Sequence, residues 1–193
     1  MATVGTSIPY MKQSGTPAER KCGAACLSMV YGSLGLNVAQ DEIWPNISKR
    51  NPFGSLASTT HLMAKDAIAR GFDAVVIQAS RPLQALGICR QKGIRAILNH
   101  RMNVESPAGH YSVLADIQKS DVLLHDPLAG PSRRISFDEL LDLWRPGIPI
   151  SETIGNVVIG VAPRLDSNES TAHCETCKLE IVSEVACPKC GYL

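Results

Sequence analysis

The run Cys22-Gly23-Ala24-Ala25-Cys26-Leu27-Ser28-Met29 reads as the opening of a buried helix. Small residues at 23 to 25 let another element approach closely, and Cys22, Cys26, Met29 and Val30 recur at helical spacing. A helix over 22–34 is therefore expected, with Gly35 as its stop. Cys22 stands in its first turn. There the helix dipole favours an anionic sulfur, and a thiol of ordinary pKa about 8.5 is made reactive by lowering that value.

Working outward, Gly109-His110-Tyr111-Ser112-Val113-Leu114 leads into a strand over 111–117. A polar turn at 118–121 returns the chain through a second strand, 122–125, which closes on Asp126-Pro127. Antiparallel pairing through a short turn sets the start of one strand beside the end of the other, so His110 and Asp126 should be neighbours. An imidazole that takes the thiol proton, and a carboxylate that holds its tautomer, complete a nucleophilic constellation. The Cys22 main-chain N–H and the side-chain amide of Gln13, nine residues earlier, are the expected donors to an oxyanion.

Each residue also has a plainer reading. Cys26 and Cys89 read as core thiols among apolar neighbours. His125 adjoins Asp126 and would point to the opposite face of its strand, so it reads as structural. His61 and His100 could replace His110 as base, and Asp116 could replace Asp126, but no hairpin places a carboxylate beside either histidine. Asp126-Pro127 is also an ordinary turn pair.

These stretches resemble the papain-like cysteine peptidases, and within them the bacteriocin-processing family that cleaves double-glycine leader peptides. The matching blocks are Gln13, residues 22–29, residues 109–114, His125-Asp126-Pro127-Leu128-Ala129-Gly130, and Phe137 to Trp144, in register across roughly residues 8 to 145. The resemblance implies Cys22 as nucleophile, His110 as base then acid, Asp126 as orienter and Gln13 in the oxyanion hole. It departs from the family in two ways. Gln13 lies farther from Cys22 than in transporter-linked members, and no transporter segment accompanies the domain, so a bacteriocin leader need not be the substrate.

Other patterns fill in the fold. Helices are expected over 39–44, ended by Pro45, over 59–70 behind Ser58, and over 82–91. Strands are expected at 72–78, 95–99 and 155–161, and Ser136 should cap a helix from Phe137 to Trp144 with Glu139 at the capping-box position. The expected architecture is α+β: a papain-like domain over residues 1–163 in which the helix carrying Cys22 packs on an antiparallel sheet. A polar linker at 164–172 and a small zinc ribbon at 173–193 follow.

The ribbon rests on Cys174-x-x-Cys177 and Cys187-x-x-Cys190, separated by nine residues. Four thiolates suit a closed tetrahedral Zn²⁺ site, and so short a segment cannot bury a core without metal. The zinc is expected to be structural, since no coordination position stays open. Leu179, Ile181 and Val185 suit a tiny hairpin between the pairs, and the ribbon is a candidate surface for a protein partner. An iron site or a redox dithiol pair are the other readings of the four cysteines.

Composition narrows the functional classes. Of 193 residues, 45% are hydrophobic and 19% charged, which sustains a real core. A formal net charge of +1 and 5% aromatics support neither a nucleic-acid surface nor an anionic membrane surface. No apolar run reaches membrane-spanning length, and the first eight residues lack a secretory pattern. Seven cysteines, four in C-x-x-C spacing, suit a reducing compartment, so a cytoplasmic protein is expected. The expected activity is hydrolysis of a peptide or protein substrate through a Cys22 thioester. An acyltransferase or transamidase of the same chemistry, or a non-catalytic peptide-binding module, are the alternatives.

Overall fold

The computed structural model describes residues 7–15, 19–51, 54–145 and 152–164, together with two short backbone strands at 171–173 and 180–182. Residues 7–15 form neither helix nor strand, and the first element is helix α1 (Cys22–Ser33). Every α1 residue except Gly32 is buried, which explains why the run is small and apolar on all sides rather than striped. Helices α2 (Gln40–Ile47) and α3 (Thr60–Ala69) flank it, joined through a two-stranded hairpin of β1 (Ser48–Arg50) and β2 (Leu56–Ser58).

A six-stranded antiparallel sheet carries the rest. Its strands are β3 (Phe72–Gln78), β4 (Arg95–Arg101), β5 (Gly109–Gln118), β6 (Asp121–Asp126), β7 (Gly130–Ser136) and β8 (Val157–Pro163), in the spatial order β3-β8-β4-β5-β6-β7. Helix α4 (Pro82–Gln91) lies between β3 and β4 in sequence, and α5 (Phe137–Trp144) follows β7. Alternate residues of the central strands serve two cores. Ile97, Val113 and Ile159 join α1, α2 and α3 on one face, while Leu98, Leu114 and Val158 join α4 and α5 on the other. The central strands are therefore apolar at successive positions, as their sequences require.

Most expected elements form within a few residues of their predicted bounds, and the differences have physical causes. Pro45 lies inside α2 rather than ending it, and buried Ile43 and Ile47 hold the helix across the missing hydrogen bond. Ser136 caps α5 by accepting from the Glu139 N–H at 3.1 Å, but the Glu139 carboxylate turns to Arg133 instead of completing the box. Strand β7, Gly-Pro-Ser-Arg-Arg-Ile-Ser, escaped the sequence pattern because it is a charged edge strand with little apolar alternation.

At the C-terminus, β9 (Thr171–His173) pairs antiparallel with β10 (Glu180–Val182), with His173 opposite Glu180. The hairpin thus straddles the first cysteine pair instead of lying between the two pairs. Thr171 and Ala172, expected in a linker, are strand. Cys174, Cys177, Cys187 and Cys190 lie outside the described residues. Among the described residues no group of side chains could hold a metal ion, and no helix is long and apolar enough to cross a membrane.

Candidate active site

Cys22 enters the site from the N-terminus of α1, where the first amides have no partner within the helix. Its side chain is buried, with the sulfur 3.8 Å from the Arg20 carbonyl oxygen. Gly23 is required beside it. A Cβ there would stand 2.5 Å from Ser58 Oγ and 3.0 Å from Met63 Sδ, so β2 and α3 close directly onto the first turn.

His110 comes from the start of β5 and is 4% exposed. Strand β5 pairs with β6 at Val113 and His125, so the next step along sets Asp126 opposite Ser112. His110 is then its diagonal neighbour on the same face. His110 Nε2 lies 2.7 Å from Asp126 Oδ1. The other ring nitrogen, Nδ1, is left for Cys22, with which His110 shares a side-chain hydrogen bond. The three residues expected from the sequence are thus brought into one line.

Asp126 serves two purposes at once. Its Oδ1 accepts the N–H groups of Leu128 at 2.9 Å and Ala129 at 3.1 Å, forming the turn, and its Oδ2 accepts from Arg133 Nη1 at 3.3 Å. The turn reading and the orienting reading of Asp126-Pro127 are therefore the same hydrogen-bond set. Burial opposes ionisation of Asp126, but the bonded and charged His110 and the two amides outweigh it and hold the carboxyl well below its usual range.

The electrostatics single out one thiol. Burial pushes Cys22 up, yet the hydrogen bond to His110, the His110 charge, a main-chain hydrogen bond from Tyr111 and the Arg20 charge bring it below its ordinary value. Burial likewise opposes charge on His110, and Asp126 and Cys22 together raise it. Both shifts run in the direction of a thiolate–imidazolium pair. Burial instead lifts Cys26 well above its ordinary value and Cys89 to about 11, so both remain inert thiols.

The rival residues are accounted for. His100 pairs opposite His110 across β4 and β5, with the two rings edge to face at 5.4 Å. Its Nδ1 donates to the Arg101 carbonyl at 2.7 Å, so its Nε2 accepts from the Ser112 hydroxyl at 2.9 Å. Burial and the His110 charge hold it down to about 4, so it is a neutral wall and not a base. His61 is exposed, and Asp116 pairs with Arg90. His125 is structural: Ser132 donates to its Nδ1, and its Nε2 donates to Ile8 O at 3.0 Å. Gln13 is buried, and its main-chain N–H donates to Pro127 O at 3.0 Å, tying its segment to the loop after Asp126.

A second cluster, invisible in the sequence, borders the sulfur. Arg20, in the left-handed region at φ 54°, pairs with Glu152 and reaches Gly109 O. Glu152 also accepts from the Gly109 N–H at 2.8 Å and from Asn51 Nδ2 at 2.6 Å. These residues come from four separate parts of the chain, and only Arg20, beside Cys22, and Gly109, beside His110, belong to stretches that the sequence marks. Together with Cys22 and Tyr111 they line a cavity of about 250 Å³ that opens on the sulfur.

Comparison with known proteins gives a consistent picture. The family described as the Peptidase C39 family matches residues 8–151. The microcin-H47 secretion/processing ATP-binding protein MchF of Escherichia coli is 27% identical over 143 residues, which is 74% of this chain and 18% of that protein. The chain thus spans under a fifth of the length of the curated relative it matches. Among solved structures, the peptidase domain of Streptococcus ComA, a bifunctional ABC transporter of a quorum-sensing pathway, is similar at TM-score 0.62 and 21% identity, covering 81% of this chain and 99% of that one. A double-glycine-motif protease from an AMS/PCAT transporter, in complex with its leader peptide, gives 0.58 and 18%, with 82% and 94% covered. A C39-like peptidase from Bacillus anthracis gives 0.61 and 14%, with 84% and 98% covered. At these identities the likeness establishes the fold.

Proposed function

Because the chain belongs to the Peptidase C39 family, and is on that ground a cysteine-type peptidase, we propose that it hydrolyses peptide bonds with Cys22 as nucleophile, His110 as acid and base, and Asp126 as orienter. The observation that carries the assignment is the hydrogen-bonded line Cys22–His110–Asp126, whose sulfur alone among the described cysteines is drawn toward thiolate.

The Cys22 thiolate attacks the carbonyl carbon of a peptide, and the oxygen gathers negative charge. The Cys22 N–H at the head of α1 and the Gln13 amide donate to that oxygen. His110 passes its Nδ1 proton to the leaving amine, which departs and leaves a thioester on Cys22. Neutral His110 then takes a proton from water, whose oxygen attacks the thioester carbonyl. The acid leaves, and the thiolate–imidazolium pair is restored. Asp126 keeps Nε2–H directed at its carboxylate throughout, which fixes the ring so that Nδ1 faces sulfur.

The domain assignment belongs to the same proposal: a papain-like body over 1–163, a linker over 164–172 and a zinc ribbon over 173–193. Its support is the two C-x-x-C pairs and the β9–β10 hairpin around the first of them. Four thiolates would hold Zn²⁺ with no coordination position to spare, so the metal would supply folding and no chemistry. A ribbon of this kind is also a surface for a protein partner. Four cysteines in C-x-x-C spacing suit metal binding in a reducing compartment and so favour a cytoplasmic setting, and the substrate is a peptide or protein segment.

The test is the pH dependence of Cys22 alkylation by iodoacetamide, read by peptide mass spectrometry on wild type and His110→Ala. The expected result is reaction that persists well below pH 8.5 in wild type and moves up toward the ordinary thiol value of about 8.5 in the variant. Identical profiles near that value in both proteins would refute the ion pair and with it the assignment.

A further inference from the structure

The wall of the cavity beside Cys22 is unevenly charged. Its lining includes Arg20, Lys49 and Arg50 as cations and Glu152 as an acid. Glu152 is fully engaged by Arg20, the Asn51 side chain and the Gly109 N–H. Cys22 and His110 balance one another as an ion pair. That leaves the two cations of strand β1. Both are exposed, and among the described residues neither has a carboxylate partner. Arg50 spends one nitrogen on the Gly54 carbonyl at 2.7 Å, and the rest of its fork remains available.

The hairpin is held in a position to use this charge. Asn51, next to Arg50, is bonded to Glu152, and Thr59, just past the returning strand, donates its N–H to Ile47 O at 2.9 Å. The neighbouring walls at Ser58, Thr60, Asn99 and Tyr111 are neutral. A ligand reaching the sulfur through this cavity therefore meets positive charge that nothing in the described protein neutralises.

We propose that this site selects peptide substrates with an acidic side chain close to the scissile bond, received by Lys49 and Arg50. The proposal rests on the peptidase reading above and adds its substrate class. An Asp or Glu within a few residues of the reacting carbonyl replaces water around the two cations with a charge-assisted contact. A Lys or Arg at the same place is repelled.

The first experiment uses two alkylating probes of nearly equal size, anionic iodoacetate and neutral iodoacetamide, on the full chain at low and at physiological salt. The quantity read is the ratio of their rates at Cys22. At low salt the Lys49→Gln/Arg50→Gln double variant is expected to lower that ratio about three- to fivefold, any change in thiolate content cancelling between the two probes, and salt should shrink the difference. Lys119→Gln, on an exposed turn away from the cavity, should leave the ratio as it is. An unchanged thermal unfolding curve shows that the double variant is folded.

The second experiment digests a proteome-derived peptide library with wild type and with the double variant. Acidic residues should be enriched beside the cut in wild type and lose that enrichment in the variant. A rate ratio that is the same in wild type and double variant, or cleavage with no acidic enrichment, overturns the proposal. If instead Cys22 alkylation ignores His110, the peptidase reading fails, whatever the ratio shows.

Discussion

At the residue scale, the site depends on a carboxylate that is already fully used. Asp126→Ala would strip the acceptor from the Leu128 and Ala129 amides as well as from His110. It should cost about 1–3 kcal/mol of stability by chemical denaturation and shift Cys22 alkylation toward the ordinary thiol profile. The sign of its pH effect follows from its depressed pKa. Its stabilisation is present above the ordinary carboxylate value of about 4 and is lost as pH falls toward the folded value, so the variant should be flatter in acid. His100 acts in a different window. Held down to about 4 in the folded protein, it stays neutral where the unfolded chain binds a proton. Stability is therefore lost as pH falls from about 6.5 to about 4. His100→Gln should remove up to about 3 kcal/mol of that pH dependence in urea titrations at pH 4.5 and 7. His110 contributes oppositely: its stabilisation is present below about 6.5 and is lost only as pH rises through its raised value. Cys22, His110 and Asp126 were legible because each travels with its own local signal of helix start, strand start or turn. Arg20, Asn51 and Glu152 were not, since they meet from segments up to 132 positions apart.

At the element scale, α1 is the piece on which the site is built. Its opening glycine is fixed by contact and not by backbone conformation. Gly23→Ala would drive a methyl into Ser58 and Met63, costing about 1–3 kcal/mol by overpacking. It should also slow Cys22 alkylation by iodoacetamide at pH 6 by tenfold or more. An unchanged rate together with unchanged thermal stability would show that β2 and α3 do not set the first turn. The sequence marks α1 well because burial on all sides leaves a run of small and apolar residues. It marks β7 and the β1–β2 hairpin badly for the opposite reason. Edge strands spend their residues on charge, as Arg133 and Arg134 do with Asp126, Glu139 and Asp121, and such strands carry no alternation to read.

At the scale of the whole molecule, the metal and the thiol should be separable. The full chain purified without chelator should hold one zinc per chain, and stripping it should leave the Cys22 alkylation rate within about twofold, since a four-thiolate site contributes folding and not catalysis. A tenfold loss would instead tie the ribbon to the cleft. The architecture as a helix-bearing antiparallel fold was readable from the order of its motifs, whereas the strand order was not. β8, the last strand of the large sheet, is inserted between β3 and β4, in its interior. This makes the sheet a structure that synthesis cannot finish early. On the ribosome, at about 5–20 residues per second, α1 and its cysteine emerge first, His110 and Asp126 follow, and β3 and β4 wait apart until Val157 to Pro163 arrive to join them. The core packed around Cys22, to which Ile159 and Val161 belong, is thus closed only after the strands carrying His110 and Asp126 have been made.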